Sequence, residues 1–400
     1  MDTSDIRLVN IRSILNALRF SPGLTKRELS ERSGLSFSTV STTCNALLEA
    51  GILLQRRQPT VGAGRFPSQL SFQGDRLCAV CLSLQAADSL TLAVMSLNNQ
   101  LLFEASCDTG GCADAREILE RAQRLFAGFR DGEGAAYTYL GVAIAVSGIY
   151  DEQQSLLMNC PFPLLNGSPI GTLAENAFGL PCHVNSASNY CAIDMRRTIA
   201  QADNFIYLHF AEELTAGIIC QRQLVTGQHG HAPRIGHLRL GNPRRVCPIP
   251  DCGGHGCIET DLSLYGMVGD YNRSTSTAHL HQLWQQRAAA IHADAAPYEE
   301  YLEEKGGSIG VLLGVLVSLF DPAMIVIGGS CVELQKELSP IVEKKLSSLC
   351  PLACSEGLVI RWDDSSRSTL YQGMSQVVYE GWNPLCMTDP QPGKEKNSRD

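Results

Sequence analysis

The sequence predicts an α/β protein in two parts: a small winged helix-turn-helix head at the N-terminus and a two-lobed body of alternating strands and helices. Three observations predict it. Residues 1–72 hold nine Lys/Arg against five Asp/Glu, and the remaining 328 hold 23 against 36, so a basic head sits on an acidic body. The first fifty residues show helix-period patterning with start and stop signals. Beyond Arg76, apolar strand-like runs alternate with helix-period stretches.

In the head, "RLVNIRSILNALRF" places Leu8, Ile11, Ile14, Leu15 and Leu18 on one stripe of an amphipathic helix. Thr25 followed by Glu28 is a capping box that opens a short second helix, which ends before Gly34. Ser36 caps a third helix running to about Ala50, with Val40, Leu47 and Leu48 inward. Two short helices joined by a Gly-Leu turn have the layout of a helix-turn-helix. Thr25, Lys26, Ser36, Phe37, Ser38, Thr39, Ser41 and Thr42 then form the face offered to double-stranded DNA. "ILLQRR" and "SQLSF" read as the two strands of a wing, and Arg65 at its tip suits a minor-groove or phosphate contact.

Domain boundaries follow: the head at 1–72, a first lobe at 73–190, and a second lobe at 191–383 whose final helix returns to the first. The first lobe opens with strands "LCAVCLSL", "LTLAVMS" and "QLLFEAS". The helix "DAREILERAQRLFAGFR", one buried strand "YLGVAIAVSGIY" and a helix near "PIGTLAENAFG" follow. The second has the strand "NFIYLHF", the hairpin "AGIICQRQLVTGQHG", and "MIVIGGS" feeding the helix "ELQKELSPIVEKKL". The tail, 384–400, has little to bury and is expected to be disordered. The apolar run "GGSIGVLLGVLVSLF" stops at Asp321-Pro322, short of the roughly 20 residues of a membrane span, and reads as a buried helix. No membrane insertion is expected. Sixteen cysteines scattered through apolar surroundings, with no secretory signal, point to reduced thiols and a cytoplasmic location.

The stretch "GHLRLGNPRRVCPIPDCGGHGC" concentrates soft ligands in a loop too polar and glycine-rich to pack alone. His237, Cys247, Cys252 and Cys257 form a Cys3His set that satisfies tetrahedral zinc with no open position, so a structural Zn2+ in the loop 236–260 is expected.

The residues "IGH" at 235–237, the cysteines ending "GCIET", "VSGIYD" at 146–151, "LPCHVNSASN" at 180–189 and "DPAMIVIGGS" at 321–330 resemble the ROK family of bacterial repressors and sugar kinases. The resemblance runs from about residue 7 to 383 and implies a two-lobed actin-like/sugar-kinase body. The helix-turn-helix followed by "GAGRFP" looks like the head of its repressor branch, which governs glucose, N-acetylglucosamine and xylose genes. One departure stands out: the family usually has one residue between the first two cysteines, and here Pro248 to Asp251 intervene.

The family holds enzymes and repressors, and the residues argue against an enzyme. A phosphate cradle needs free backbone N–H groups at the first strand turn, yet residues 76–107 contain no glycine. Glu212 and Glu213 stand where the second phosphate loop would fall. The general base that the resemblance places after Asn185 is Ser186, a poor proton acceptor at neutral pH. No catalytic residue is therefore assigned, and a regulator, acting as a homodimer or dimer of dimers on a two-fold operator, is expected.

By the same resemblance the effector-binding positions are Gly148, Asn185, His237 and Glu259, with Arg234 in place of a glutamate and Ser186 in place of the base. The exchange of carboxylates for a guanidinium favours an acidic or phosphorylated sugar-like ligand. A second reading has Arg234 pairing with Glu259 or Glu212, closing the pocket and leaving control to a protein partner such as a sugar-transport component.

Overall fold

The computed structural model describes residues 3–56, 68–86, 88–199, 202–250, 252–273, 275–352 and 357–388. The head contains α1 (Thr3–Phe20), α2 (Lys26–Ser33), α3 (Phe37–Glu49), β1 (Leu53–Arg56) and β2 (Gln69–Phe72). Both strands pair antiparallel, from Leu53 opposite Phe72 to Arg56 opposite Gln69. The capping box at Thr25 and the Ser36 cap are both formed. Val40, Cys44 and Leu47 are the buried residues of α3, whereas Leu48 is half-buried.

The first lobe follows with β3 (Leu77–Leu84), β4 (Ser89–Ser96), β5 (Leu101–Asp108), α4 (Ala115–Asp131), β6 (Thr138–Val146), β7 (Ile149–Asp151), β8 (Leu156–Met158), α5 (Ile170–Phe178), β9 (Cys182–Ser186) and α6 (Ala187–Thr198). The second has β10 (Phe205–Phe210), β11 (Leu214–Cys220), β12 (Gln223–Leu224), α7 (Glu259–Leu262), α8 (Leu264–Val268), α9 (Thr277–Ala293), α10 (Glu299–Phe320), β13 (Met324–Gly329), α11 (Gln335–Leu349) and β14 (Val359–Asp363). The long helix α12 (Ser366–Gly381) and the short α13 (Leu385–Thr388) complete the described chain.

Each lobe carries a five-stranded sheet, and the two sheets repeat one topology. Their orders are β5-β4-β3-β6-β9 and β12-β11-β10-β13-β14, three antiparallel strands continued by two parallel ones. The central strands β3 and β10 are buried almost throughout, as strands covered on both faces must be. Helices α6 and α12 fill the space between the sheets. Small residues Ala79, Cys81, Ala143 and Ala145 let them approach, and Tyr190, Cys191, Met374 and Val378 pack from the helices.

The far end of α12 is also the seat of the head. Tyr379 and Trp382 join the head's core together with Leu77 and Leu97 of the first lobe. From α1, Arg19 donates to Gln376 Oε1 at 2.7 Å and lies 4.6 Å over the Tyr379 ring, and the Tyr379 hydroxyl donates to Asn16 at 2.8 Å. Arg12 donates to the Trp382 carbonyl at 3.3 Å.

Three expectations are corrected. The strand expected over "YLGVAIAVSGIY" breaks into β6 and β7 at Gly148, which adopts φ 94°. A Cβ there would stand 2.7 Å from the Met158 carbonyl oxygen, so only glycine lets the chain turn out of the sheet toward the cleft. The change of lobe is not at residue 190, which lies inside the buried helix α6. Residues 384–388 are ordered, because Leu385 and Met387 pack on the head's core; 389–400 lie outside the described residues.

Candidate functional site

In the head, the capping residues are themselves held. Ser36 Oγ accepts from the Thr39 amide at 3.2 Å and lies 2.8 Å from Thr39 Oγ1 and 2.9 Å from Ser38 Oγ. Thr25 Oγ1 donates to Glu28 at 2.8 Å. Phe37, Ser38 and Thr42 are exposed and Ser41 half-buried, on the outer side of α3. Phe37 is 57% exposed. Lys26 reaches across from α2 to Asn45 Oδ1 at 2.6 Å and Ser41 Oγ at 3.3 Å, clamping the two helices. Asn45, an exposed amide four residues beyond Ser41 on the same face, escaped the sequence reading although its helical spacing was visible. Arg65 lies outside the described residues.

In the second lobe, His237, Cys247, Cys252 and Cys257 converge, with one ligand atom from each lying within 4.8 Å of the others. Cys252 and Cys257 sulfurs are 3.7 Å apart, and His237 Nδ1 is 3.8 Å from Cys247 Sγ. These last two separations match ligands at roughly 2.0–2.3 Å from one central tetrahedral ion. The extra residues after Cys247 do not displace it: Ile249 is buried against the cysteines, and the Cys252 amide donates to the Ile249 carbonyl at 3.2 Å, a turn that takes up the added length. Cys247 also donates its amide to the Gly254 carbonyl at 2.8 Å, and a Cβ on Gly254 would come within 3.3 Å of Cys252 Sγ. Burial, then the charges of Arg234 and Arg273, bring His237 down to about 4, so its imidazole is neutral and competent to ligate. Burial pushes Cys247 up to about 12. His255 is exposed and is not a member of the cluster.

Between the lobes lies a cavity of about 270 Å³. Gly148, Asn185, Ser186, Arg234, His237 and Glu259, distant in sequence, all line it. His237 therefore belongs to both the cysteine cluster and the cavity wall, and its Nδ1 faces Cys247. Asn185 Oδ1 accepts from the Ser186 amide at 2.9 Å and from Asn189 Nδ2 at 2.7 Å. Ser186 Oγ caps α6, accepting from the Asn189 amide at 3.3 Å.

Two carboxylates that line the cavity, Glu259 and Glu213, are engaged, and so is the neighbouring Glu212. Glu259 is ion-paired with Arg273 and accepts the Leu214 amide at 2.9 Å; burial raises it to about 7 against the pull of Arg273. Glu213 accepts the Gly148 amide at 2.9 Å and is likewise raised by burial. Glu212 is held by His281 Nε2 at 2.8 Å. The pairing of Arg234 with Glu259 or Glu212 is thus corrected: Arg273 and His281 occupy those carboxylates, and the Arg234 side chain is exposed at the cavity with no ion pair among the described residues. Asn189 Oδ1 and His231 Nε2, both on lining residues, are buried without a hydrogen-bond partner. Asn189 was legible as the residue four beyond Asn185. His231 and Arg273 carried no local signal.

Fold and site together define a two-lobed sugar-kinase-like protein with a winged helix-turn-helix head and a Cys3His cluster beside its interlobe cavity. The chain belongs to the ROK family, matched over residues 87–376, and residues 8–53 match the winged helix-turn-helix DNA-binding family. It is 20% identical to the xylose repressor of Bacillus spizizenii, across 95% of this chain and 98% of that protein. It is 21% identical to the N-acetylglucosamine repressor of Escherichia coli O157:H7, across 87% of each. A solved ROK family transcriptional regulator shares the fold with a TM-score of 0.78 at 19% identity, covering 96% of this chain and all (100%) of that one. A ROK family glucokinase from Streptomyces griseus, in complex with glucose and AMPPNP, shares the body's fold with a TM-score of 0.62 at 18% identity, covering 76% of this chain and 100% of that one. Among the described residues no helix is long and apolar enough to cross a membrane.

Proposed function

We propose that this chain is a DNA-binding transcriptional regulator, a cytoplasmic repressor of carbohydrate uptake or metabolism genes, whose body dimerises and senses a small sugar-like effector in the interlobe cavity. One observation carries the reading: the exposed face Phe37-Ser38-Thr42-Asn45 belongs to a head packed through α1 onto α12, the helix that lies between the two lobes. A change at the cavity therefore has a physical route to the DNA-contacting face. The names carried by the related proteins, repressors of xylose and N-acetylglucosamine genes, agree with it.

The reading excludes sugar phosphorylation. Ser186 has no carboxylate to take a proton, and its hydroxyl is spent on capping α6. Glu213 occupies the Gly148 amide. Control by a protein partner through a closed pocket is the weaker reading, because Arg234 does not make the contact that would close it.

Zn2+ fits the cluster: His237, Cys247, Cys252 and Cys257 would hold it. With four protein ligands the ion has no open position, so what it supplies is folding energy for the loop. The loop in turn fixes the His237 ring at the cavity wall. The experiment is a mobility-shift assay with the full chain on DNA from promoters of sugar-utilisation genes, titrated with candidate sugars. The reading expects specific, salt-sensitive binding released by one of them. Absence of any specific duplex binding would remove it.

A further inference from the structure

The interlobe cavity has a polarity that neutral sugars do not use. On the side of the first lobe it offers amides and hydroxyls, Asn185, Ser186 and Asn189, with the Asn189 Oδ1 buried and unpartnered. On the side of the second lobe it offers Arg234, His229 and His231, and the His231 Nε2 is also buried without a hydrogen bond. Two buried polar atoms of one cavity that make no hydrogen bond, the second of them 3.8 Å from the Asp151 carboxylate, are positions that a polar ligand would satisfy.

The charges decide what kind of ligand. The buried Glu259 and the half-buried Glu213 of the wall are engaged by Arg273 and by the Gly148 amide. Asp151 accepts the Gln153 and Gln154 amides at 2.9 and 3.0 Å and lies 3.8 Å from His231. Glu152 is exposed at the mouth, on the segment of the first lobe. Arg273 faces Glu259. That leaves Arg234, whose guanidinium no carboxylate among the described residues engages, although it lies close enough to the Cys252 thiol and the His237 ring to act on both electrostatically. A guanidinium presents a rigid fork that matches an oxyanion with two parallel hydrogen bonds.

Resting on the reading of the cavity as an effector site, we propose that its ligand is an anionic monosaccharide. The oxyanion sits on Arg234 with His231 beside it, and the ligand's hydroxyls are read by Asn185 and Asn189. A cavity of about 270 Å³ has room for one sugar ring. The oxyanion is a carboxylate, as in a uronic or aldonic acid, or a phosphate ester; both suit the same fork.

Isothermal titration of the full chain tests this with D-galacturonate, D-gluconate, glucose 6-phosphate, D-glucose and D-xylose. The proposal expects at least one anionic sugar to bind about tenfold or more tightly than its neutral counterpart. It also expects Arg234→Gln to abolish that difference, and wild-type affinity for the anion to fall as salt rises while any neutral binding does not. The carboxylate and phosphate arms tell the two sources apart. Equal binding of neutral and anionic sugars, or an Arg234→Gln protein that keeps the preference, overturns the anionic assignment and leaves effector sensing intact. Binding of no sugar of either kind overturns both. Arg234 is exposed, so the variant is expected to fold, and the salt series on the unmutated chain gives an answer independent of it.

Discussion

His237 is shared by two structures, the cysteine cluster and the cavity wall, and this makes the loop 236–260 more than a staple. If a metal holds the imidazole at Nδ1, its other nitrogen keeps a fixed direction. Cys257→Ser is expected to abolish bound zinc, measured by metal analysis, and to lower the melting temperature by on the order of 5 °C or more, since binding energy at such a site is folding energy. Unchanged zinc content would dismiss Cys257 as a ligand. At Glu259 the pairing with Arg273 is buried, and Arg273→Ala leaves the carboxylate without its cation; a loss of about 3–5 kcal/mol of unfolding free energy by denaturant titration is expected. A loss below about 1 kcal/mol would mean that Glu259 protonates at little cost. The cysteines of the cluster were legible because they crowd into one glycine-rich stretch. Arg273, 14 residues beyond Glu259, gave no such signal: its role exists only once α7 and the loop after α8 have folded against each other.

At the scale of elements, the helices of the head were the most legible part of the chain. Thr25 and Ser36 each stop the chain in extended conformation and accept the amide three residues on, and such caps are local chemistry. The β6 to β7 break was not legible, since the apolar run continues through Gly148 and only the close passage of Met158 demands the turn. The seating of α1 on α12 was equally hidden, because Asn16 and Tyr379 stand 363 residues apart. That contact is expected to matter. Tyr379→Ala removes a buried ring that Arg19 covers, at a cost of about 3–5 kcal/mol, and amide exchange in α1 should accelerate relative to the body. Uniform acceleration across both lobes would show instead that α12 serves the body alone. On α3, Thr42→Ala is expected to weaken binding at one operator base pair by about 1–3 kcal/mol while leaving affinity for unrelated duplex unchanged. Equal losses on specific and unrelated DNA would make Thr42 a backbone contact.

At the scale of the whole molecule, one five-stranded topology is used twice, and the paired helices α6 and α12 stand between the copies. The cavity opens between the two lobes, so a ligand that touches Asn185 and Arg234 at once bridges them. The head rests on the end of α12, against Tyr379 and Trp382. An acidic body under a basic head keeps DNA on the head and off the cavity. The central claim, that this assembly reads a specific duplex, is tested most directly by selecting sheared genomic fragments on the immobilised full-length protein and sequencing what is retained. The account predicts a short, two-fold-symmetric sequence common to fragments upstream of sugar-utilisation genes, retained at moderate salt and lost at high salt. Retained fragments that share no sequence, or no retention above that of an unrelated acidic protein, would contradict it.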